Sequence, residues 1–281
     1  MEPALFIFVI AILGLLVGSF LNVVIYRLPL MLQQDWRRQC AELLEVSDCK
    51  PLTKEKFNLI VPRSRCPECN HLIRAIDNIP VISFILLKGK CRNCGTAINP
   101  RYPLVELLTC LLSAVVAWKY GYQPQTAALL LFTWTLICLA FIDLDHKLLP
   151  DDLTMPLLWL GLTCNLFSFF TDINSSIIGA ILGYGVLWAV FQIFKLITGK
   201  EGMGYGDFKL LAVIGAWCGW QFLPQTILVS SILGSIIGLL QLVISKQGKN
   251  TAIPFGPYLA IAGWIAIIWG VQINNLYFRL F

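Results

Sequence analysis

Pro124-Gln-Thr-Ala-Ala-Leu-Leu-Leu-Phe-Thr-Trp-Thr-Leu-Ile-Cys-Leu-Ala-Phe-Ile142 runs nineteen residues without a charged side chain and stops at Asp143. A helix needs about 20 mostly apolar residues to cross the ~30 Å hydrocarbon core of a bilayer, so this run reads as one crossing with an acid at its end. Working outward, comparable apolar blocks lie at 4–25, 104–121, 153–170, 177–198, 208–220, 223–245 and 253–271. Their apolar runs are unbroken and do not alternate in polarity, which argues against a transmembrane β-barrel. The composition agrees: 57% of residues are hydrophobic and 13% charged, where soluble domains carry about 25% charge. The expected fold is an all-α polytopic membrane protein of about eight transmembrane helices. The first block lacks a basic n-region and is too long for a signal-peptide h-region, so it is expected to stay as a span.

Most of the polar sequence is gathered in one insert between the first and second helices. Three parts are expected: a first transmembrane helix over 1–27, an insert over 28–103 and a transmembrane domain over 104–281. Thirteen of the 21 basic residues fall between Arg27 and Arg101. Lys and Arg near span ends mark the cytoplasmic side. With the insert inside, eight alternating spans also bring Lys147, Lys195, Lys200, Lys209, Lys246 and Lys249 inside, leaving only Lys119 and Arg279 outside. This basic charge is explained by membrane orientation, and no nucleic-acid partner is expected; membrane lipid is. The oligomeric state is left open.

The ten cysteines separate by context. Cys110, Cys138, Cys164 and Cys218 lie in apolar blocks and read as small packing residues. Cys40 and Cys49 have no motif. Cys66-Pro-Glu-Cys69 and Cys91-Arg-Asn-Cys94 are two C-x2-C knuckles at the separation by which four thiolates close a tetrahedral zinc site. A disulfide pair is the alternative, disfavoured in a reducing cytoplasm. Because all four positions would be sulfur, the zinc is expected to be structural, supplying folding energy to an insert with little core of its own.

Acids at the edge of a span are functional candidates because they are costly there. Asp143 opens Asp143-Leu-Asp-His-Lys-Leu-Leu-Pro-Asp-Asp152, and Asp207 closes Gly202-Met-Gly-Tyr-Gly-Asp207. In the eight-span topology both lie at cytoplasmic helix ends. Two carboxyls held close cannot both ionise, so one takes a proton from water while the other polarises a carbonyl, the division of labour of aspartyl hydrolysis. Gly204 and Gly206 suit a loop that lets an extended substrate backbone approach. The alternative is a pair of solvated boundary residues. Asp151 and Asp152 read as helix-start acids after Pro150, and Asp145 as a wetter neighbour. The Gly-x-Gly pattern lacks the strand that a dinucleotide loop requires. With His71 and His146 the only histidines, no Ser/His or Cys/His nucleophile pair is expected.

The chain resembles the bacterial type IV prepilin peptidases, which are bifunctional leader peptidases and N-methyltransferases. The resemblance is carried by Gly14-Leu-Leu-Val-Gly-Ser-Phe-Leu-Asn-Val23 leading to Arg27-Leu-Pro29, the two cysteine pairs, Asn78-Ile-Pro80, Gly89-Lys-Cys91 and Arg101-Tyr-Pro-Leu-Val-Glu106. It continues through Asp143 to Asp151, Gly204-Tyr-Gly-Asp207 and Pro254-Phe-Gly-Pro-Tyr258.

The resemblance implies membership of the GxGD intramembrane aspartyl proteases, with Asp143 and Asp207 as the catalytic pair. It implies cleavage of the basic leader of prepilins and type II secretion pseudopilins after a glycine, at the cytoplasmic face of the inner membrane. It further implies methylation of the new N-terminal residue, usually phenylalanine, with S-adenosylmethionine. The methyl-transfer site would lie with the insert, and Gly89 is a candidate for close approach to the donor, although a knuckle turn explains it equally well. Pro254-Phe-Gly-Pro257 would open the last span near the site or simply start its helix. Two other readings are a partner-binding scaffold with structural aspartates and a proton-coupled transporter. The transporter would place carboxylates at the midplane of paired repeats, and neither feature is present.

Overall fold

The computed structural model describes residues 2–44, 57–244 and 254–280. Cys49 and five of the lysines counted above, Lys50, Lys54, Lys56, Lys246 and Lys249, lie outside the described residues. Every apolar block forms a helix: α1 (Pro3–Leu43), α3 (Arg101–Tyr120), α4 (Pro124–His146), α5 (Asp151–Leu166), α6 (Ile173–Thr198), α7 (Tyr205–Cys218), α8 (Leu223–Ile244) and α9 (Gly256–Leu280). A short α2 (Ile82–Leu86) lies in the insert.

The expected count of eight spans is not confirmed. Among the described residues, six helical segments are long and apolar enough to cross a bilayer, lying in α1, α3, α4, α6, α8 and α9. The other two helices, α5 and α7, have 16 and 14 residues, about 24 and 21 Å of rise. Burial accounts for the shortness of α7. Phe208 and every residue from Leu210 to Cys218 are buried, so this helix is apolar all round because protein surrounds it, and its length need not match the bilayer.

The chain forms two compact units, Met1–Tyr122 and Gln123–Phe281. In the first, α1 packs along α3. Gly14 and Gly18, four residues apart on one face of α1, set the approach. A Cβ on Gly18 would come within 2.8 Å of the Glu106 Cα, and one on Gly14 within 2.8 Å of the Ser113 Oγ. Small residues at this spacing let two helix backbones close together where no water drives their association. The glycines of the first motif are therefore accounted for by packing. Asn22 ties the same seam by donating to the Tyr102 carbonyl at 3.1 Å.

In the second unit, α7 lies at the centre against α5, α6 and α9. Gly179 faces Gly215, and Gly183 faces Leu211, with no room for a side chain at either glycine of α6. Numbers rise on one helix as they fall on the other, so α6 and α7 are antiparallel and the α6 C-terminus shares an end with the α7 N-terminus. Buried polar groups hold the opposite end. Asn165 donates to the carbonyls of Ala216 and Trp217 and accepts from the N–H groups of Phe170 and Thr171. Trp217 Nε1 donates to the Leu157 carbonyl at 2.9 Å. With these partners satisfied, the far end of α7 is locked in place and its near end is held in register.

Candidate active site and metal centre

The two knuckles of the first unit are built alike. In one, Asn70 N–H donates to the Cys66 carbonyl, Cys66 N–H donates to the His71 carbonyl, and Arg65 bridges Leu72. In the other, Gly95 N–H donates to the Cys91 carbonyl, Cys91 N–H donates to the Thr96 carbonyl, and Lys90 bridges Ala97. The residue after the second cysteine takes positive φ in both, 54° at Asn70 and 72° at Gly95. Asn and Gly are the residues that adopt this conformation at least cost. Each tight turn folds its cysteine pair toward a common centre.

All four Sγ atoms lie within 4.8 Å of one another, and Cys66 Sγ is 3.8 Å from Cys94 Sγ. A tetrahedron of Zn–S bonds of about 2.3 Å has edges of about 3.8 Å, so this donor set is compatible with zinc, the Cys66–Cys94 edge already matching. Thr96, through its hydroxyl first and its backbone second, lowers the Cys94 thiol, while Cys66 in the same cluster is raised, so a proton is lost first at Cys94. Asp77 and Arg92 pair at 2.7 Å, joining the second knuckle to the 3-10 turn before α2.

Gly89 sits at φ 67°, donates to the Phe84 carbonyl and accepts from Ile98 N–H. A Cβ there would lie 3.1 Å from the Phe84 ring. The turn and this packing account for the glycine. Arg27 is buried on α1, where it donates to the carbonyls of Asn58 at 2.8 Å and Pro62 at 2.6 Å, so it clamps the start of the knuckle segment to the helix.

The carboxyls assemble in the second unit. Asp143 lies in the last turn of α4, which ends where Lys147 turns left-handed (φ 53°) and donates back to the Asp143 carbonyl. Asp207 occupies the first turn of α7, its N–H directed to the Gly204 carbonyl. Both are buried, at 5% and 7% exposure. Asp145 and Asp152 are exposed. Asp151 and Asp152 both fall in the first turn of α5, so neither is its N-cap: Pro150 holds that position without a side-chain cap, and Asp151 pairs with Lys209 at 2.7 Å. That ion pair fastens α5 to α7 two residues past Asp207.

The glycines around Asp207 do different jobs. Gly202 lies under the Phe194 ring, where a Cβ would sit 2.8 Å away. Gly204 opens onto space, the nearest group to its Cβ position being Asp207 Oδ2 at 3.9 Å. At Gly206 a Cβ would sit 2.8 Å from the Leu149 Cβ. Thus one glycine leaves a path beside the carboxyl, and the other lets Leu149 press close.

Gly256 was present in a sequence motif, yet its part in the site is visible only in three dimensions. At the start of α9 its N–H donates to Asp143 Oδ2 at 3.0 Å. A Cβ on Gly256 would lie 2.7 Å from that oxygen and 3.3 Å from Leu149 Cδ1. Leu149, itself buried, is therefore a wedge that meets the glycines of both α7 and α9. Among the described residues, α4, α7 and α9 contribute one element each to a buried acidic pair with backbone access on its flank. Such a pair can hold a water, take its proton and donate to a carbonyl.

Two family models match: the bacterial peptidase A24 N-terminal domain over residues 12–120 and the type IV leader peptidase family over residues 130–239. A prepilin leader peptidase/N-methyltransferase of Stutzerimonas stutzeri is 55% identical over 99% of this chain and 96% of its own length. One of Pseudomonas aeruginosa is 53% identical over 99% and 95%, and one of Legionella pneumophila 47% over 96% and 93%. No solved structure matches the chain. With near-complete coverage in both directions, this multi-pass membrane protein belongs to the type IV leader peptidase family.

Proposed function

We propose that the chain cleaves prepilin leader peptides and N-methylates the exposed N-terminus, with Asp143 and Asp207 as its peptidase dyad. The observation that carries the peptidase half is the burial of these two carboxyls, with Leu149 packed against both Gly206, which precedes Asp207, and Gly256, which bonds Asp143, beside the open position at Gly204. The same catalysis extends to pseudopilins, whose leaders share the basic-then-apolar character.

A prepilin presents a basic leader in water and an apolar segment in the bilayer. Its scissile bond, after a glycine, is delivered at the membrane boundary on the cytoplasmic face of the inner membrane. Gly204 and Gly206 form the loop along which the extended substrate lies. One carboxylate of the pair takes a proton from a water held between them, and that water's oxygen bonds to the scissile carbonyl carbon. The other carboxyl, protonated, donates to the carbonyl oxygen as it gains charge. Collapse of the resulting gem-diol breaks the C–N bond, and the leaving amine receives a proton from the pair. No acyl-enzyme forms. Gly256 N–H keeps the Asp143 carboxyl turned toward the pair.

S-adenosylmethionine, the donor that N-methylation calls for, supplies an electrophilic methyl group. Gly89, in the turn beside Phe84, is the candidate for close approach to that donor. The insert over 28–103 serves as the metal-stabilised part, with Cys66, Cys69, Cys91 and Cys94 holding structural zinc.

The test is leader removal from a purified prepilin by wild type, Asp143→Ala and Asp207→Ala, read on a gel. Each variant is expected to lose about 100-fold or more, the scale of a lost acid or base. Cleavage by either variant at the normal rate overturns the dyad.

A further inference from the structure

Among the described residues of the insert, exposed apolar side chains such as Leu43, Leu44 and Ile60 occur singly or in pairs, and they gather most densely along one stretch. Ile76, Ile79, Ile82, Ile85 and Leu86, five large apolar side chains within eleven residues, are between 41% and 75% exposed. Ile76 lies on the 3-10 turn Ala75–Asn78, Ile79 directly follows it, and Ile82, Ile85 and Leu86 lie on α2. Phe84 differs, since its ring packs on Gly89 and holds the inner face of α2 against the second knuckle. An exposed apolar cluster of this kind in water marks a surface made to be covered.

What covers it follows from how the stretch is pinned. Val81 N–H donates to Glu106 Oε2 at 2.8 Å. Val81 is at φ 60°, a costly conformation for a β-branched residue, which persists only where surrounding structure dictates it. Glu106 is buried on α3, five residues inside its start at Arg101, about 7.5 Å along the axis. With 20 residues, α3 is about 30 Å long, the thickness of the hydrocarbon core, so it crosses only if its first turns are inside the boundary. The hydrogen bond therefore fixes Val81 at a depth where headgroups meet acyl chains. Arg74, Lys88 and Lys90 flank the stretch and are exposed, as expected for a segment lying among anionic headgroups.

We propose that residues 76–86 form an interfacial anchor, with Ile76, Ile79, Ile82, Ile85 and Leu86 buried in the bilayer surface and Glu106 setting its depth. The zinc knuckles then ride on the membrane and do not hang from it as a free cytosolic domain. This inference concerns the first unit and stands whether or not Asp143 and Asp207 are catalytic.

The experiment uses the full chain in nanodiscs of phosphatidylcholine and phosphatidylglycerol. A genetically encoded environment-sensitive fluorescent amino acid is placed at position 85 or, as an exposed knuckle control, at position 68. Quenching by nitroxide-labelled phosphatidylcholine is compared with quenching by aqueous iodide. The anchor is supported by lipid quenching several-fold stronger at 85 than at 68, with iodide quenching reduced at 85. Equal iodide quenching at the two positions overturns it, because the stretch is then in water. Protection at 85 from both quenchers also overturns it, because protein then covers the patch. Both positions are exposed, so the probe leaves packing intact. Glu106→Gln, which keeps an acceptor for Val81, is expected to retain the lipid quenching.

Discussion

The thiolate cluster and the carboxyl pair are opposite kinds of site. The four cysteines come from 29 consecutive residues and are gathered by two short turns whose hydrogen bonds are local. The carboxyl pair, with the N–H that orients it, comes from positions 143, 207 and 256 on three helices. A local site can be stabilised by the ion it binds. A dispersed one depends on the packing of an entire unit, which is why its surroundings are glycines fitted against Leu149 and an α7 buried from Leu210 to Cys218.

If that contrast is right, disrupting each site should have different reach. Cys66→Ser is expected to give the largest effect: metal content falls to background and residues 57–100 become sensitive to protease, since ion binding is the folding energy of such knuckles. Leader cleavage should persist at a measurable rate. Full metal retention in this variant would overturn the four-thiolate site, and complete loss of cleavage would show that the two regions are not separable.

Gly256→Val should do the reverse. Its side chain would enter the space now held by the Asp143 carboxyl, and a displacement of about 1 Å in a catalytic group costs on the order of 100-fold in rate. Cleavage should fall by roughly that factor, while metal content, and methylation of a prepilin already cleaved, stay unchanged. An unaltered cleavage rate would remove Gly256 from the site.

The smallest effect separates helix stability from chemistry. Asp172 caps α6 by accepting from Ser175 N–H at 2.8 Å, and this bond holds its carboxyl below the ordinary carboxylate range. The depressed value means the cap contributes fully above about pH 4, the unfolded value, and is lost as pH falls through the folded one. Asp172→Ala should therefore lower the Tm slightly at neutral pH, with the gap from wild type closing in acid. A gap that widens on acidification would show that the cap is not the source.

Much of this was legible in the chain. Apolar blocks of helix length, the clustered basic residues and the C-x2-C spacing report on properties that are local in sequence. Asp143 and Asp207 were legible for a related reason: charge is scarce here, so an acid at a block edge stands out. The insert's apolar stretch drew no notice, because five residues spread over a turn and a short helix look like ordinary core until their exposure is known. Leu149 was equally silent, since nothing in Lys-Leu-Leu-Pro distinguishes a wedge from a loop residue.

The sequence by itself determined that the chain is helical and membrane-embedded, which residues could bind zinc and which two acids were costly enough to need a reason. Those properties follow from hydrophobic length, thiol spacing and the expense of charge in lipid. Tertiary structure alone decided that α7 is a short helix enclosed from Leu210 to Cys218, that Gly256 reaches back 113 residues to orient Asp143, and that Glu106 accepts from the Val81 N–H. Each is a contact between segments distant in the chain, and such contacts are set by how helices pack, for which no local pattern of residues is a record.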